Sequence, residues 1–173
     1  LTLEPGVRQR LEDACRKGGT SLHSTGSSPG FITEALPIVL LSLQRRLDGL
    51  TINEFADVSS RNSPDMLFKV MGFGQPPAVL NKHILAEVKV GFANSFRALA
   101  NAIAMPLDSV EIEGECATVR NSTRIAAGVI EKGTVGALRI TISGMREGRA
   151  LMRMRLNWYC SKDIAETWDL RDS

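Results

Sequence analysis

The segment ALRITISGM, residues 137–145, alternates apolar and polar side chains along most of its length. The apolar positions are Leu138, Ile140 and Ile142, and the polar positions are Arg139, Thr141 and Ser143. Successive side chains of a β-strand point to opposite faces of the sheet, so this period of two predicts a strand. One face would lie on an apolar core and the other would be polar, as is typical of an antiparallel sheet.

The same kind of pattern occurs before and after this segment. The further predicted strands are VEIEGECATV at 110–119, LMRMRLNWY at 151–159, STRIAAGVI at 122–130 and LTINEFADV at 50–58. Together they predict a mostly antiparallel sheet of about five strands.

Charged side chains are concentrated on the polar face of two of these strands. The set consists of Glu111, Glu113, Glu115, Arg153 and Arg155. We expect the glutamates and arginines to form cross-strand pairs on that face. The alternative is that this face meets a second subunit.

Helices are predicted before and between the strands. A helix begins at Pro5 and ends at the glycine pair 18–19, and a short strand follows at residues 20–25, an order typical of an α/β unit. The next helix, residues 31–47, is apolar nearly all round and is expected to be buried on most sides. A long helix over about residues 81–105 would cover one face of the sheet. The chain is therefore predicted to be α/β at its start and α+β afterwards.

Composition excludes several classes of function. The 173 residues include 21 basic and 19 acidic side chains, and a net charge of +2 without a dense basic stripe argues against nucleic acid. The longest apolar run is about half of the roughly 20 residues that a membrane helix needs. His23 and His83 have no metal-ligand spacing. Three distant cysteines are expected to be reduced thiols of a cytoplasmic protein.

The turn GSSPG, residues 26–30, allows three interpretations. It could be a strand-to-helix turn with Ser28 as N-cap and Pro29 at the first helical position. It also matches the nucleophile elbow G-x-S-x-G, but Pro29 has no N–H for an oxyanion hole. A third interpretation is dinucleotide binding, in which free N–H groups and missing side chains let a nicotinamide ring approach. No G-x-G-x-x-G loop for the pyrophosphate occurs in the sequence.

Three motifs in a fixed order resemble one known family. They are TGSSPGF at 25–31, ADVSSRNSPDMLFKVMGFG at 56–74 and GVIEKGTVGALRITISGMREG at 128–148. They are similar to the dihydrodipicolinate reductase-like family that includes 2,4-diaminopentanoate dehydrogenase and the native NAD(P)-dependent amine dehydrogenases. The resemblance implies that residues 1–24 are the end of a Rossmann-type dinucleotide-binding domain. It implies that residues 25–173 form a substrate-binding and oligomerisation domain, in which helices cover a mostly antiparallel sheet.

The resemblance also implies two sets of site residues. NAD or NADP would be contacted by Gly26, Ser27, Ser28, Pro29 and Gly30, with Ser28 at a position where the family usually has Asn. Substrate would be contacted by Asp57, Ser59, Arg61 and Asn62, which could equally be a solvated loop, and by Phe73. Flanking glycines favour an exposed loop around Phe73, whereas Met66 and Phe68 are expected to pack in the core.

The expected function is that of a substrate and oligomerisation part of an oxidoreductase acting on C–N bonds. Its partners would be a small amine, ketone or imine and a further copy of the chain. The catalytic carboxylate implied by the family lies upstream, so no catalytic residue and no metal ligand is assigned here. One alternative is a non-catalytic dimerisation or ligand-binding domain of the same fold. Another is a dihydrodipicolinate reductase, which residues 56–64 disfavour because they lack its His-His and Lys motif.

Overall fold

A computed structural model of the protein describes residues 4–23, 26–77, 82–165 and 168–170, with residues 82 and 83 described by their backbone alone. The helical elements are α1 (Pro5–Gly18), a π-helical segment (Ser27–Ala35), α2 (Leu36–Leu41), a π-helical turn (Asp65–Val70) and α3 (Lys82–Ala102). The strands are β1 (Leu50–Asp57), β2 (Ser109–Thr118), β3 (Thr123–Ile125), β4 (Gly128–Ile130), β5 (Val135–Arg146) and β6 (Arg149–Tyr159).

Four of the strands form one sheet in the order β1-β6-β5-β2. β5 is antiparallel to both β6 and β2, whereas β1 runs parallel to β6. β3 and β4 form a separate two-stranded antiparallel sheet. The predicted α+β fold with a mostly antiparallel sheet is therefore confirmed. Four of the five expected strands form the main sheet. The fifth, predicted at 122–130, folds back on itself and forms the hairpin of β3 and β4.

Two apolar clusters hold the fold together. One joins α3 to the sheet, and its buried members include Phe92, Phe96, Leu99, Ile140, Ile142, Met152, Met154 and Leu156. The other lies beside the hairpin, and its members include Leu67, Phe73, Ile130, Leu138 and Tyr159. The long helix predicted over about residues 81–105 is confirmed as α3. Its buried residues Phe92, Phe96 and Leu99 follow one another at intervals of four and three, so one side of the helix faces the sheet.

The polar face of the sheet differs from the expected cross-strand pairing. β5 lies between β2 and β6, so the glutamates and arginines are separated by roughly 10 Å, which is two strand spacings. Glu111 is opposite Ser143 on β5, and Arg153 is opposite the same residue from the other side. The pairing was wrong because alternation does not reveal strand order. Arg139 on β5 forms the observed ion pair, with Glu115 at 3.2 Å.

The segment before β1 departs from two expectations. Residues 20–23 have no strand structure, and residues 24 and 25 lie outside the described residues. The apolar helix ends at Leu41 rather than Leu47, and much of its surface is exposed, with Val39 at 63% and Leu40 at 49%. Burial on most sides was the wrong prediction for this chain, because the described residues cover only the side that faces α3 and β1.

Helix α1 forms as predicted, but it contributes nothing to either core cluster. It ends at Gly19, whose left-handed backbone (φ +60°) closes the last turn. None of its residues is buried. Within the described ranges, no helix is long and apolar enough to cross a membrane.

Candidate functional site

The turn at residues 26–30 is not a regular helix start. Ser28, Pro29 and Gly30 all have non-helical backbone angles, and the Ser28–Pro29 peptide is cis. Gly30 has φ +134° and ψ −103°, a conformation that residues with a Cβ rarely adopt. The Ser28 side chain makes no capping hydrogen bond. The predictions of Ser28 as N-cap and Pro29 as the first helical residue were therefore wrong.

The turn is closed by hydrogen bonds of its own. The Phe31 N–H donates to the Gly26 carbonyl oxygen at 2.7 Å, and the Gly30 N–H donates to Thr33 Oγ1 at 2.9 Å. The side-chain oxygen that accepts the Gly30 N–H is thus that of Thr33, whereas Ser28 was expected to provide such an oxygen. These two N–H groups are consequently occupied within the chain and are not available to a ligand.

Helix α3 holds this turn from one side. Thr33 Oγ1 lies 2.6 Å from Ser95 Oγ, and both side chains are buried. A Cβ at Gly91 would lie 3.8 Å from the Pro29 ring, an ordinary van der Waals distance, so the turn lies directly against this part of α3. Sequence reasoning missed Thr33 and Ser95. Their signal was weak, since a polar residue in an apolar helix shows its role only when its partner, 62 positions later, is known.

Two details show why the turn needs its small residues. A Cβ at Gly26 would collide with the Pro29 carbonyl oxygen, so this glycine is required by the turn itself. The Ser28 Oγ atom is buried and has no hydrogen-bond partner among the described residues. A buried hydroxyl without a partner is rare in native proteins.

The predicted substrate loop follows the carboxyl end of β1. Asp57 Oδ1 accepts a hydrogen bond from the Ser59 N–H at 2.9 Å, and the Ser59 carbonyl accepts one from the Ala126 N–H of the hairpin at 2.9 Å. Arg61 and Asn62 are exposed. The structure thus places these four predicted residues on one exposed loop that is anchored to the hairpin.

The aromatic part of the predicted substrate set does not behave as expected. Phe73 is completely buried in the cluster beside the hairpin, so the exposed loop predicted around it is not observed. Its neighbouring glycines, Gly72 and Gly74, adopt left-handed backbone angles that turn the chain inward. Met66, expected in the core, is 46% exposed, whereas Phe68 does pack against that cluster.

A carboxylate on the helix-covered side of the sheet was not anticipated. Glu54 Oε1 accepts a hydrogen bond from Trp158 Nε1 at 3.0 Å, and the Glu54 backbone carbonyl accepts one from Asn157 Nδ2 at 3.0 Å. The side chains that share this face of β1 and β6 are otherwise apolar, namely Leu50, Ile52, Ala56, Met152, Met154, Leu156 and Trp158. Alternation could have identified Glu54 as the residue out of phase in LTINEFADV.

An apolar cavity of about 230 Å³ lies between this strand and the segment that follows the turn. Its lining includes Ile32, Leu36, Leu40, Leu47 and Ile52. Such a space would accept an alkyl group rather than a charged one, because polar groups lose hydrogen bonds to water in apolar surroundings.

The cysteines are poor candidates for covalent chemistry. Burial, with a smaller effect from the Asp57 charge, raises the pKa of the Cys160 thiol to about 12. Burial also raises the pKa of Cys116. A thiolate is the nucleophilic form, so these two thiols would be inert near neutral pH. In the described part of the chain, no group of three or more His, Cys, Asp or Glu could hold a metal.

The architecture defines a class: an α+β domain in which a long helix covers one face of a mostly antiparallel sheet, with a compact small-residue turn against that helix. Two known proteins, both amine dehydrogenases, are similar to this chain, one in sequence and one in structure. The chain is 30% identical over 149 residues to an amine dehydrogenase of Streptomyces virginiae, a match that includes 83% of this chain and 41% of the relative. No protein-family model matches the chain.

A solved structure has the same fold. The amine dehydrogenase from Mycobacterium smegmatis aligns with a TM-score of 0.64 over 91% of this chain and 47% of its own chain, at 14% identity. The chain therefore spans less than half the length of either relative.

Proposed function

We propose that this chain is the substrate-binding and oligomerisation part of an NAD(P)-dependent oxidoreductase that interconverts amines and imines. The observation that supports this most strongly is the 30% identity to an amine dehydrogenase over 149 residues. Helix α1 would belong to the preceding dinucleotide-binding domain. That assignment is supported by its lack of any buried residue, since an amphipathic helix is normally stabilised by packing.

The turn at residues 26–30 fits the nicotinamide end of such a cofactor. Gly26, Ser27 and Gly30 present little side chain, so a flat ring could lie against their backbone. The exposed Ser27 hydroxyl could hydrogen-bond the carboxamide group, whereas the buried Ser28 hydroxyl does not offer the paired donor and acceptor of an amide. Pro29 and Thr33 would keep the turn in place against α3.

The chemistry supplied by a bound nicotinamide would be acceptance of a hydride, with its two electrons, from the carbon that carries the amine nitrogen. The substrate would thereby become an iminium ion, to which water adds to give a ketone and an ammonium ion. The task of this chain is to orient the amine and to exclude bulk water, because hydride transfer depends on the placement of the two carbons. Asp57, Ser59, Arg61 and Asn62 would supply polar contacts at the open end of the site.

The polar face of the sheet would carry the contact with a second copy of the chain. A sheet with one face on a core needs its other face solvated or covered. The face presents glutamates on β2 and arginines on β6, so two copies related by a two-fold axis could place unlike charges opposite one another. Light scattering of the full-length protein should show a dimer or larger assembly at micromolar concentration, and a monomer would contradict the contact.

The activity is tested by NAD(P)H absorbance with the full-length protein that contains this chain. Short-chain amines with oxidised cofactor should produce NAD(P)H, and small ketones with ammonia should consume it. Ser27→Leu should weaken cofactor binding measured by calorimetry, because its larger side chain would fill the surface proposed for the ring, and the control Ser122→Leu, at an exposed serine outside the turn, should leave binding unchanged. Absence of turnover across both directions, in a protein that binds the cofactor, would instead favour a non-catalytic ligand-binding domain.

A further inference from the structure

We infer that Arg139 and Asn157 are positioning residues for the loop after β1, residues 57–62, an inference that rests on the proposed binding of substrate by this loop. Arg139 Nε donates a hydrogen bond to Asn157 Oδ1 at 2.7 Å, and Asn157 Nδ2 donates one to the Glu54 backbone carbonyl at 3.0 Å. In the opposite direction, Arg139 Nη1 donates to Glu115 Oε1 at 3.2 Å. These four residues, the cross-sheet row, lie on β5, β6, β1 and β2, so their polar contacts connect all four strands of the main sheet.

The amide of Asn157 is the link that carries the row to β1. Asn157 is 2% exposed, and its oxygen accepts from Arg139 on one side while its nitrogen donates to the Glu54 carbonyl on the other. An amide offers a donor and an acceptor on one planar group, whereas a carboxylate only accepts. Because a buried polar group without a partner is unfavourable, both ends of the amide favour the observed spacing of the strands.

Arg139 also connects the C-terminal segment to the row. Its Nη2 donates to the Trp168 backbone carbonyl at 2.7 Å, and its guanidinium lies 4.5 Å from the centre of the Trp168 ring. Trp168 and Ile164 are buried in the cluster beside the hairpin. Each nitrogen of the guanidinium thus has a partner within the chain, and one side chain joins the C-terminal segment to the strand that precedes the loop.

The row reaches β1 close to the start of the loop. Further along the chain, the Val58 N–H donates to the Tyr159 carbonyl at 2.9 Å, and the Ser59 carbonyl accepts from the Ala126 N–H at 2.9 Å. Together with the backbone pairing of β1 to β6, these contacts set where the loop lies. Among the three contacts, the one at Glu54 depends on a side chain, so a substitution can remove it selectively. A displacement of about 1 Å at a binding site is enough to weaken its action.

A purely structural role of the row makes a different prediction. If the row only stabilises the sheet, breaking it at either end should lower the melting temperature without a local effect on the loop. Asn157→Asp still accepts from Arg139 but has no donor for the Glu54 carbonyl, so it breaks the row at β1. Glu115→Gln weakens the row at β2, the far side of the sheet, and is the control.

The experiment compares the full-length wild type, Asn157→Asp and Glu115→Gln. Hydrogen exchange followed by mass spectrometry reports local opening at residues 54–62. We expect Asn157→Asp to raise exchange there about tenfold, and Glu115→Gln to leave it unchanged. With butan-2-amine as substrate, Asn157→Asp should raise the KM for the amine about tenfold, with a smaller change in kcat and an unchanged KM for the cofactor.

The outcomes separate this inference from the proposed function. Unchanged exchange at residues 54–62 in Asn157→Asp, an equal increase in Glu115→Gln, or an unchanged KM for the amine would overturn the positioning role. If Asn157→Asp does not fold, Arg139→Lys replaces it, because lysine keeps the charge but lacks the planar fork that reaches several partners. If the wild type binds the cofactor but oxidises no amine, the proposed function fails, and the exchange at residues 54–62 alone decides whether the row positions the loop.

Discussion

Thr33→Val tests whether the turn is held by the buried hydroxyl pair against α3. Thr33 is 0% exposed, its Oγ1 accepts the Gly30 N–H at 2.9 Å, and it lies 2.6 Å from Ser95 Oγ. Valine keeps the shape but leaves the Gly30 N–H and the Ser95 hydroxyl without a partner. A buried polar group left unpaired costs about 1–3 kcal/mol. Since Gly30 is only partly buried and can recover water, we expect a total loss of about 2–4 kcal/mol of unfolding free energy.

This loss is measured by urea unfolding of the wild type, of Ser95→Ala, of Thr33→Val and of the double variant. Ser95→Ala should cost less, about 1 kcal/mol, because the Thr33 hydroxyl still accepts the Gly30 N–H. The double variant no longer contains the Ser95 hydroxyl that Thr33→Val leaves without a partner. Its loss of unfolding free energy should therefore be about 1 kcal/mol smaller than the sum of the losses in the two single variants. A Thr33→Val variant within 0.5 kcal/mol of the wild type, or strictly additive effects, would refute this account of the turn.

Three further predictions concern other buried groups. Ser28→Ala should leave the unfolding free energy unchanged or raise it by about 1 kcal/mol, because it removes a buried hydroxyl that has no partner among the described residues. A decrease of about 1 kcal/mol would instead show that Ser28 caps the helix. Burial raises the pKa of the Cys160 thiol to about 12 in the folded protein, whereas the thiol of the unfolded chain ionises at about pH 9. The stabilising effect of this shift is therefore complete below about pH 9. Between about pH 9 and 12 the free energy of unfolding should fall by about 1.4 kcal/mol per pH unit. Cys160→Ala should flatten that decline in urea titrations, and an identical slope would contradict the burial of the thiol. Gly136→Ala should cost about 1–3 kcal/mol, since its Cβ would collide with the Val119 side chain, and Val119→Ala should recover part of that loss in thermal unfolding.

The site was less accessible to sequence reasoning than the fold. Ser28 has the side chain and position of a helix cap, but the backbone at Gly30 leaves the helical region and passes that role to Thr33. Phe73 lies between glycines, as in an exposed loop, yet their left-handed angles direct the chain into the core. In both cases a backbone conformation decided the role, and residue type does not specify backbone angles where glycine is present.

The pattern of side chains was enough to locate the four strands of the main sheet and to tell which of their faces is apolar, because side chains alternate along a strand whatever its neighbours are. It was also enough to predict the long helix α3, because apolar residues recur at intervals of three and four along it. The strand order could be known only from the folded chain: β5 separates β2 from β6, and so the glutamate of β2 that forms an ion pair does so with Arg139. It alone brought Thr33 to Ser95 and Glu54 to Trp158, which are 62 and 104 positions apart. Such pairs depend on how the whole chain packs, and a local pattern carries no information on a partner that distant.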